Sequence, residues 1–172
     1  MKGDEEAWTD IEEAAKLLVN AEVPKLAGII AYRRGQIDVA RLKFDESRTR
    51  DANDCETGFY LGTVLAEQRV WERSSAVLVD TVDCLDRAEQ ALEQQIARIR
   101  ASHDPPDRQA RQIARREAQI AGSRRMRVTS WFDLAVAYFN LSREGEARQY
   151  AEKVLDDDRY GDRAREILSR LR

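Results

Sequence analysis

An all-α chain built as an α-solenoid of antiparallel helix pairs is what the sequence predicts, on three observations. Glycine and proline are scarce, 8 and 3 in 172 residues, while 42% of residues are hydrophobic and 35% charged; this balance suits helices over a turn-rich β fold. Strand-like alternation is nearly absent, and apolar residues recur instead at helical spacing. The chain also matches itself at an offset of 34 residues: Gly28 with Gly62, Ala27 with Leu61, Ala40 with Ser74, Phe44 with Leu78. A period of that length marks stacked helix pairs.

Taken in order, Ala7, Trp8, Ile11, Ala14, Ala15 and Leu18 lie on one stripe and predict an amphipathic N-terminal helix over 5–20 that caps the stack or is the remnant of an earlier repeat. Repeat units follow over 22–54 and 55–88, and a third over 127–160. In each, small residues (Gly28, Ala40, Gly62, Ala135, Ala147) allow close helix approach and large ones fill the space between. A last helix over 161–172 carries Ala164, Ile167, Leu168 and Leu171 and ends on Arg170 and Arg172, which suit its C-terminal pole.

The interval from Gly62 to Ala135 is 73 residues rather than 34. From Leu78 the apolar positions run through Val82, Leu85, Leu92, Ile96 and Ile99, a heptad pattern interrupted only at Glu89. The second helix of unit two therefore continues, Asp104-Pro105-Pro106-Asp107 breaks it, and Ile113 and Ile120 resume the spacing toward Leu134. This predicts a projecting antiparallel helical hairpin over 89–126, standing about 25 to 30 Å proud of the stack. A turn centred between Pro105 and Pro106 sets Leu92 near Gln119 and Ile99 near Gln112 and Ile113. Glu89 then lies level with Gly122, in reach of Arg124 or Arg125. As a partly exposed pair this is worth under about 1 kcal/mol, and Glu89→Leu is expected to be neutral or stabilising.

Three segments resemble the tetratricopeptide repeat (TPR) family. LAGIIAYRRGQIDVARLKF from Leu26 has Gly28 at the close-packing position and Gly35 in the turn. YLGTVLAEQRVWERSSAVL carries the Leu61-Gly62 pair and Trp71, departing at Ser74, where the family prefers Ala. WFDLAVAYFNLSREGEARQYAEKVL places Trp131, Leu134, Ala135, Tyr138, Leu141, Ala147, Ala151 and Val154 at the family's spacings. The resemblance covers about 22–88 and 127–171. It implies a protein–protein interaction scaffold or adaptor whose concave face is built by the first helix of each unit. Carried onto this chain, the groove positions are Lys25, Ile29, Tyr32 and Arg33, then Phe59, Thr63, Ala66 and Glu67, then Phe132, Val136, Phe139 and Asn140. Members that grip acidic tails need a cluster of Lys, Arg and Asn there; this chain keeps only Lys25 and Arg33, at one end. An apolar, aromatic groove fits a hydrophobic peptide or amphipathic helix of another protein.

Nothing in the pattern points to catalysis, a cofactor or a metal. The formal net charge of -3 gives the whole molecule no strong pull toward nucleic acid or anionic membrane, and no apolar run approaches the roughly 20 residues that cross a bilayer. His103 stands alone at the hairpin tip, Asp156, Asp157 and Asp158 read as a solvated turn, and no Gly-rich phosphate loop or Cys-x-x-Cys pair occurs. Cys55 and Cys84 read as two small buried or half-buried residues, too few for a disulfide framework or metal site. Arg108, Arg111 and Arg115 fall opposite the Ile113 and Ile120 seam. They read as solvated; the alternatives are a second protein surface, a homodimer contact or structural self-assembly through the hairpin, or a nucleic-acid contact. Of the 29 basic residues 24 are Arg, a usage that fits a GC-rich bacterial genome and leaves cytoplasm and periplasm open.

Overall fold

The computed structural model describes residues 21–171. The expected helix over 5–20 lies outside them. Seven helices follow among the described residues, with no strand: α1 (Glu22–Arg33), α2 (Ile37–Arg50), α3 (Cys55–Glu67), α4 (Trp71–Arg100), α5 (Pro106–Asn140), α6 (Glu144–Glu152) and α7 (Gly161–Arg170).

Three tight turns set the frame. Gly35, Arg69 and Ser142 adopt left-handed backbone, with φ of 72°, 60° and 57°. After each, an amide bonds back five residues: Gln36 to Ala31, Val70 to Leu65 and Arg143 to Tyr138, all at 2.9 Å. This is the Schellman ending of a helix, which satisfies carbonyls the helix leaves unpaired. The turns are spaced 34 and 73 residues apart, as Gly28, Gly62 and Ala135 are. The insertion therefore leaves the third helix pair in phase with the first two. Only Gly35 takes this backbone without steric cost.

Packing repeats with the turns. A Cβ on Gly28 would lie 2.6 Å from Phe44, and one on Gly62 would fall onto Leu78, so both glycines are places where a second helix approaches too closely for a side chain. Ala40, Ser74 and Ala147 are all fully buried. At Ser74 the cost of a hydroxyl in that dry position is met by a 2.9 Å bond to the Gly62 carbonyl. Three apolar clusters follow one another along the chain: Phe44, Leu61 and Leu65 between the first two pairs, Leu78, Leu134 and Tyr138 in the middle, and Phe132, Ala151 and Tyr160 near the end. α1 packs on α3, α3 on α5 and α5 on α7, which places these helices side by side on one face.

α4 runs unbroken for 30 residues and α5 for 35, packed against one another. The turn occupies 101–105, just before the Pro105–Pro106 junction, with Pro106 as first residue of α5. Side-chain pairs fall on the register counted from the sequence: Arg116 Nε to Gln95 Oε1 at 2.8 Å and Arg124 Nε to Glu89 Oε1 at 2.6 Å bracket Leu92 and Gln119. Glu89 corrects one expectation. It is buried, at 7% exposure, and is held by Arg127 (2.8 Å) as well as by Arg124, while Arg125 stays in solvent. Burial works to raise its pKa, but the Arg124 hydrogen bond and the Arg127 charge outweigh it and hold the carboxyl below its ordinary value.

The cysteines bring a second correction: Cys55 and Cys84 form a disulfide, with Cα atoms 5.6 Å apart. It joins the first residue of α3 to α4 at the end of that pair opposite its turn. Gly62 with Leu78, Gly58 with Thr81, and Cys55 with Cys84 straddle the Arg69–Val70 turn symmetrically, so the antiparallel register itself brings the two sulfurs together.

Candidate functional site: an aromatic groove with a carboxylate centre

The first helices of the three pairs, joined by α7, enclose a groove of about 470 Å³. Its aromatic wall comes from Tyr32 on α1, Phe59 and Tyr60 on α3, and Phe132 on α5. Phe59 and Tyr60 meet edge to face at 5.2 Å, and Tyr32 and Tyr60 at 6.1 Å. Phe132 is buried under Tyr160, the rings stacked at 4.6 Å. Tyr160 is carried there by the turn before α7, where Asp157 Oδ1 accepts the amides of Arg159 (3.0 Å) and Tyr160 (3.1 Å). The expected solvated acidic turn is thus in part a local brace.

Two carboxylates stand at the centre. Thr63 Oγ1 donates to Asp133 Oδ2 at 3.1 Å, linking α3 to α5. Tyr32 Oη donates to Glu67 Oε1 at 2.6 Å, linking α1 to α3. Burial pushes the Asp133 carboxyl up to about 6; the Thr63 hydrogen bond opposes this, and the Glu67 charge adds to it. Burial and the bond to Glu67 likewise raise the Tyr32 hydroxyl well above its usual range. On the α7 side, Arg163 lies 4.5 Å from the Phe132 ring centre and Arg159 5.2 Å from that of Tyr160.

Compared with family models and with curated proteins, the sequence matches none.

Of the groove positions carried from the repeat resemblance, Tyr32, Phe59, Thr63, Ala66, Glu67, Phe132 and Val136 line this one cavity. Phe139 lies in its shallower extension of about 180 Å³, beside Arg163 and Ile167. The others are not brought there. Lys25 is buried at 8% exposure among Glu22 (2.9 Å), Asp54 (3.1 Å) and Glu56 (3.5 Å). Burial would lower its pKa, yet the hydrogen bonds to Glu22 and Asp54 prevail and raise it. It ties α1 to the start of α3, where Asp54 also caps the Glu56 amide. Ile29 packs on the first apolar cluster, Arg33 is exposed, and Asn140 spends its amide on the Val136 carbonyl at 2.8 Å. Asp133, Tyr60, Trp71, Arg159, Tyr160 and Arg163 line the groove without having been predicted there. Asp133 shares a helical face with Val136 and Asn140, and that spacing was the available signal.

Arg108, Arg111 and Arg115 are exposed on the outer side of α5, Arg108 within 3.6 Å of Asp104. His103 is exposed in the hairpin turn. Among the described residues no cluster of His, Cys, Asp or Glu could hold a metal ion, and no helix is long and apolar enough to cross a membrane.

Proposed function

We propose that the chain is a tetratricopeptide-like α-solenoid that serves as an adaptor, gripping a peptide or amphipathic helix of another protein in the groove between α1, α3, α5 and α7. The observation that supports it is the groove itself: aromatic and apolar side chains from corresponding helices of three in-phase pairs converge on one concave surface. Half-buried rings such as Phe59 and Tyr60 offer large contact area at small entropic cost, the profile of an anchor-binding surface. The hairpin's exposed arginines lack the interleaved aromatics that single-stranded nucleic acid stacks on. The Cys55–Cys84 bond favours residence in an oxidising compartment; thiol titration of protein taken from its native host without reductant should find neither sulfur free.

The test is to pan a displayed library of random peptides on the wild-type chain and on the double variant Phe59→Ala, Phe139→Ala. Selected peptides are expected to bind the wild type and to lose at least about tenfold in affinity for the variant, whose circular dichroism stays helical. Peptides that bind both equally well would move the binding face elsewhere.

A further inference from the structure

We infer that this groove selects partners that insert a lysine or arginine side chain at the carboxylates of Asp133 and Glu67, between the rings that flank them. The inference rests on the adaptor reading above and names the chemistry of what the adaptor takes.

Charge pairing elsewhere in the molecule sets the contrast. Buried Glu89 is held by Arg124 and Arg127, and half-buried Asp54 by Lys25. Asp133 is half-buried with a single hydrogen bond, from the neutral Thr63 hydroxyl. Glu67 has only the Tyr32 hydroxyl. Among the described residues no lysine or arginine nitrogen lies within 4.0 Å of either carboxylate. The nearby guanidiniums of Arg159 and Arg163 lie over the rings of Tyr160 and Phe132 instead. Two negative groups from adjacent helices therefore share one cavity; Arg163 and Arg159 act on Asp133 from a distance, but no cation within the described residues pairs directly with either carboxylate.

Three kinds of occupant can be compared. An apolar side chain would strip the remaining water from Asp133 and return nothing, which costs free energy. An acidic one would meet the two carboxylates, while Arg159 and Arg163 are already laid over Tyr160 and Phe132. A cationic one gains a charge-assisted hydrogen bond at Asp133 or Glu67 and lays its stem and charge against aromatic faces, an environment that attracts ammonium and guanidinium groups. The raised Asp133 pKa agrees: burial, with the Glu67 charge, outweighs the Thr63 hydrogen bond and the attraction of Arg163 and Arg159. Apolar residues on either side of the inserted cation would rest on Phe59 and on the Phe139 extension.

The peptide selection described above, repeated on Asp133→Asn and on Glu67→Gln, provides the test. Glu67 is exposed, so its variant keeps the fold even should Asp133→Asn disturb packing. Peptides selected on the wild type should be enriched in a central Lys or Arg. Exchanging that residue for norleucine should weaken binding to the wild type by about tenfold or more, and to either variant by under about threefold. Peptides that still need Phe59 and Phe139 but show no basic preference, or an acidic one, would overturn the inference and leave the groove reading standing. Peptides indifferent to Phe59 and Phe139 would take down both.

Discussion

The stack and the hairpin are built from the same long helices yet held by different forces. In the stack, Phe44, Leu61, Leu78 and Leu134 are almost fully buried, and glycine or alanine lets neighbouring backbones close up. Along the hairpin beyond Leu85, Ile96 and Ile120 are the buried apolar residues, and Glu89, Arg124, Arg127, Asp86, Gln95 and Arg116 supply much of the cross-arm contact. Apolar close packing is indifferent to salt but intolerant of added volume. Partly exposed ion pairs tolerate volume but weaken as salt screens them. One chain thus carries a rigid body and a softer arm, and opposite perturbations should find them.

The largest expected effect lies in the stack. Gly62→Leu drives a side chain into Leu78 and should cost about 3 kcal/mol or more, read from urea denaturation; melting unchanged from the parent would mean that the α3–α4 approach is looser than described. Next comes the disulfide, which closes a loop across 29 residues of sequence. Replacing Cys55 and Cys84 by serine should lower stability by about 3 kcal/mol, and an equal loss should follow reductant in the parent but not in the variant. Ile96→Asp should act on the arm alone: hydrogen exchange in 90–122 accelerates by about tenfold or more while the stack's protection is kept, and the effect grows with salt. Exchange rising equally in α2 and α3 would show that arm and stack unfold as one.

A smaller effect of opposite sign is expected in the groove. Asp133 has a folded-state pKa near 6, against an ordinary value of 3.8. The folded chain therefore binds more protons between those values, and this group's contribution to stability falls as pH rises through the window. At pH 7 the ionised carboxylate costs up to about 3 kcal/mol before discounting for its remaining contact with water. Asp133→Asn should raise stability at pH 7 by about 1 to 2 kcal/mol, the gain vanishing below about pH 4. Glu89 runs the other way, its lowered pKa making the arm looser as pH falls below the ordinary carboxylate range. Its burial also revises the expectation for Glu89→Leu: Arg127 would be left half-buried with Asp86 as its remaining ion-pair partner and the Trp131 ring beneath it, so a loss of about 1 kcal/mol is expected. The smallest effect is at the turns, where Arg69→Gly should stabilise by about 0.5 kcal/mol by relieving the left-handed backbone.

Periodicity made the helices and the arm register legible, because Leu78 to Ile99 and Ile113 to Leu134 repeat on the helix's own spacing. The disulfide was legible by the same register, since Cys55 and Cys84 straddle the Arg69–Val70 turn as Gly62 and Leu78 do; counting cysteines without placing them on the helix pair hid it. Asp133 was harder to see. Its meaning depends on Thr63, 70 residues away, and on Tyr160, whose position follows from the Asp157 turn rather than from any helical period. Lys25 was misplaced because the groove register says nothing of the three acids that surround it.

α5 is both groove wall and arm: Phe132, Asp133 and Val136 stand on the same unbroken helix whose other end, about 40 Å away at 1.5 Å per residue, begins at Pro106. Mechanically it is a lever with its fulcrum in the stack. A tilt of about 5° at the groove, small enough to leave close packing intact, would sweep the far end by about 3 Å. Dyes on the hairpin turn and on α2 should therefore change their energy transfer when a peptide fills the groove, which makes the arm a pointer whose reading is set at its root.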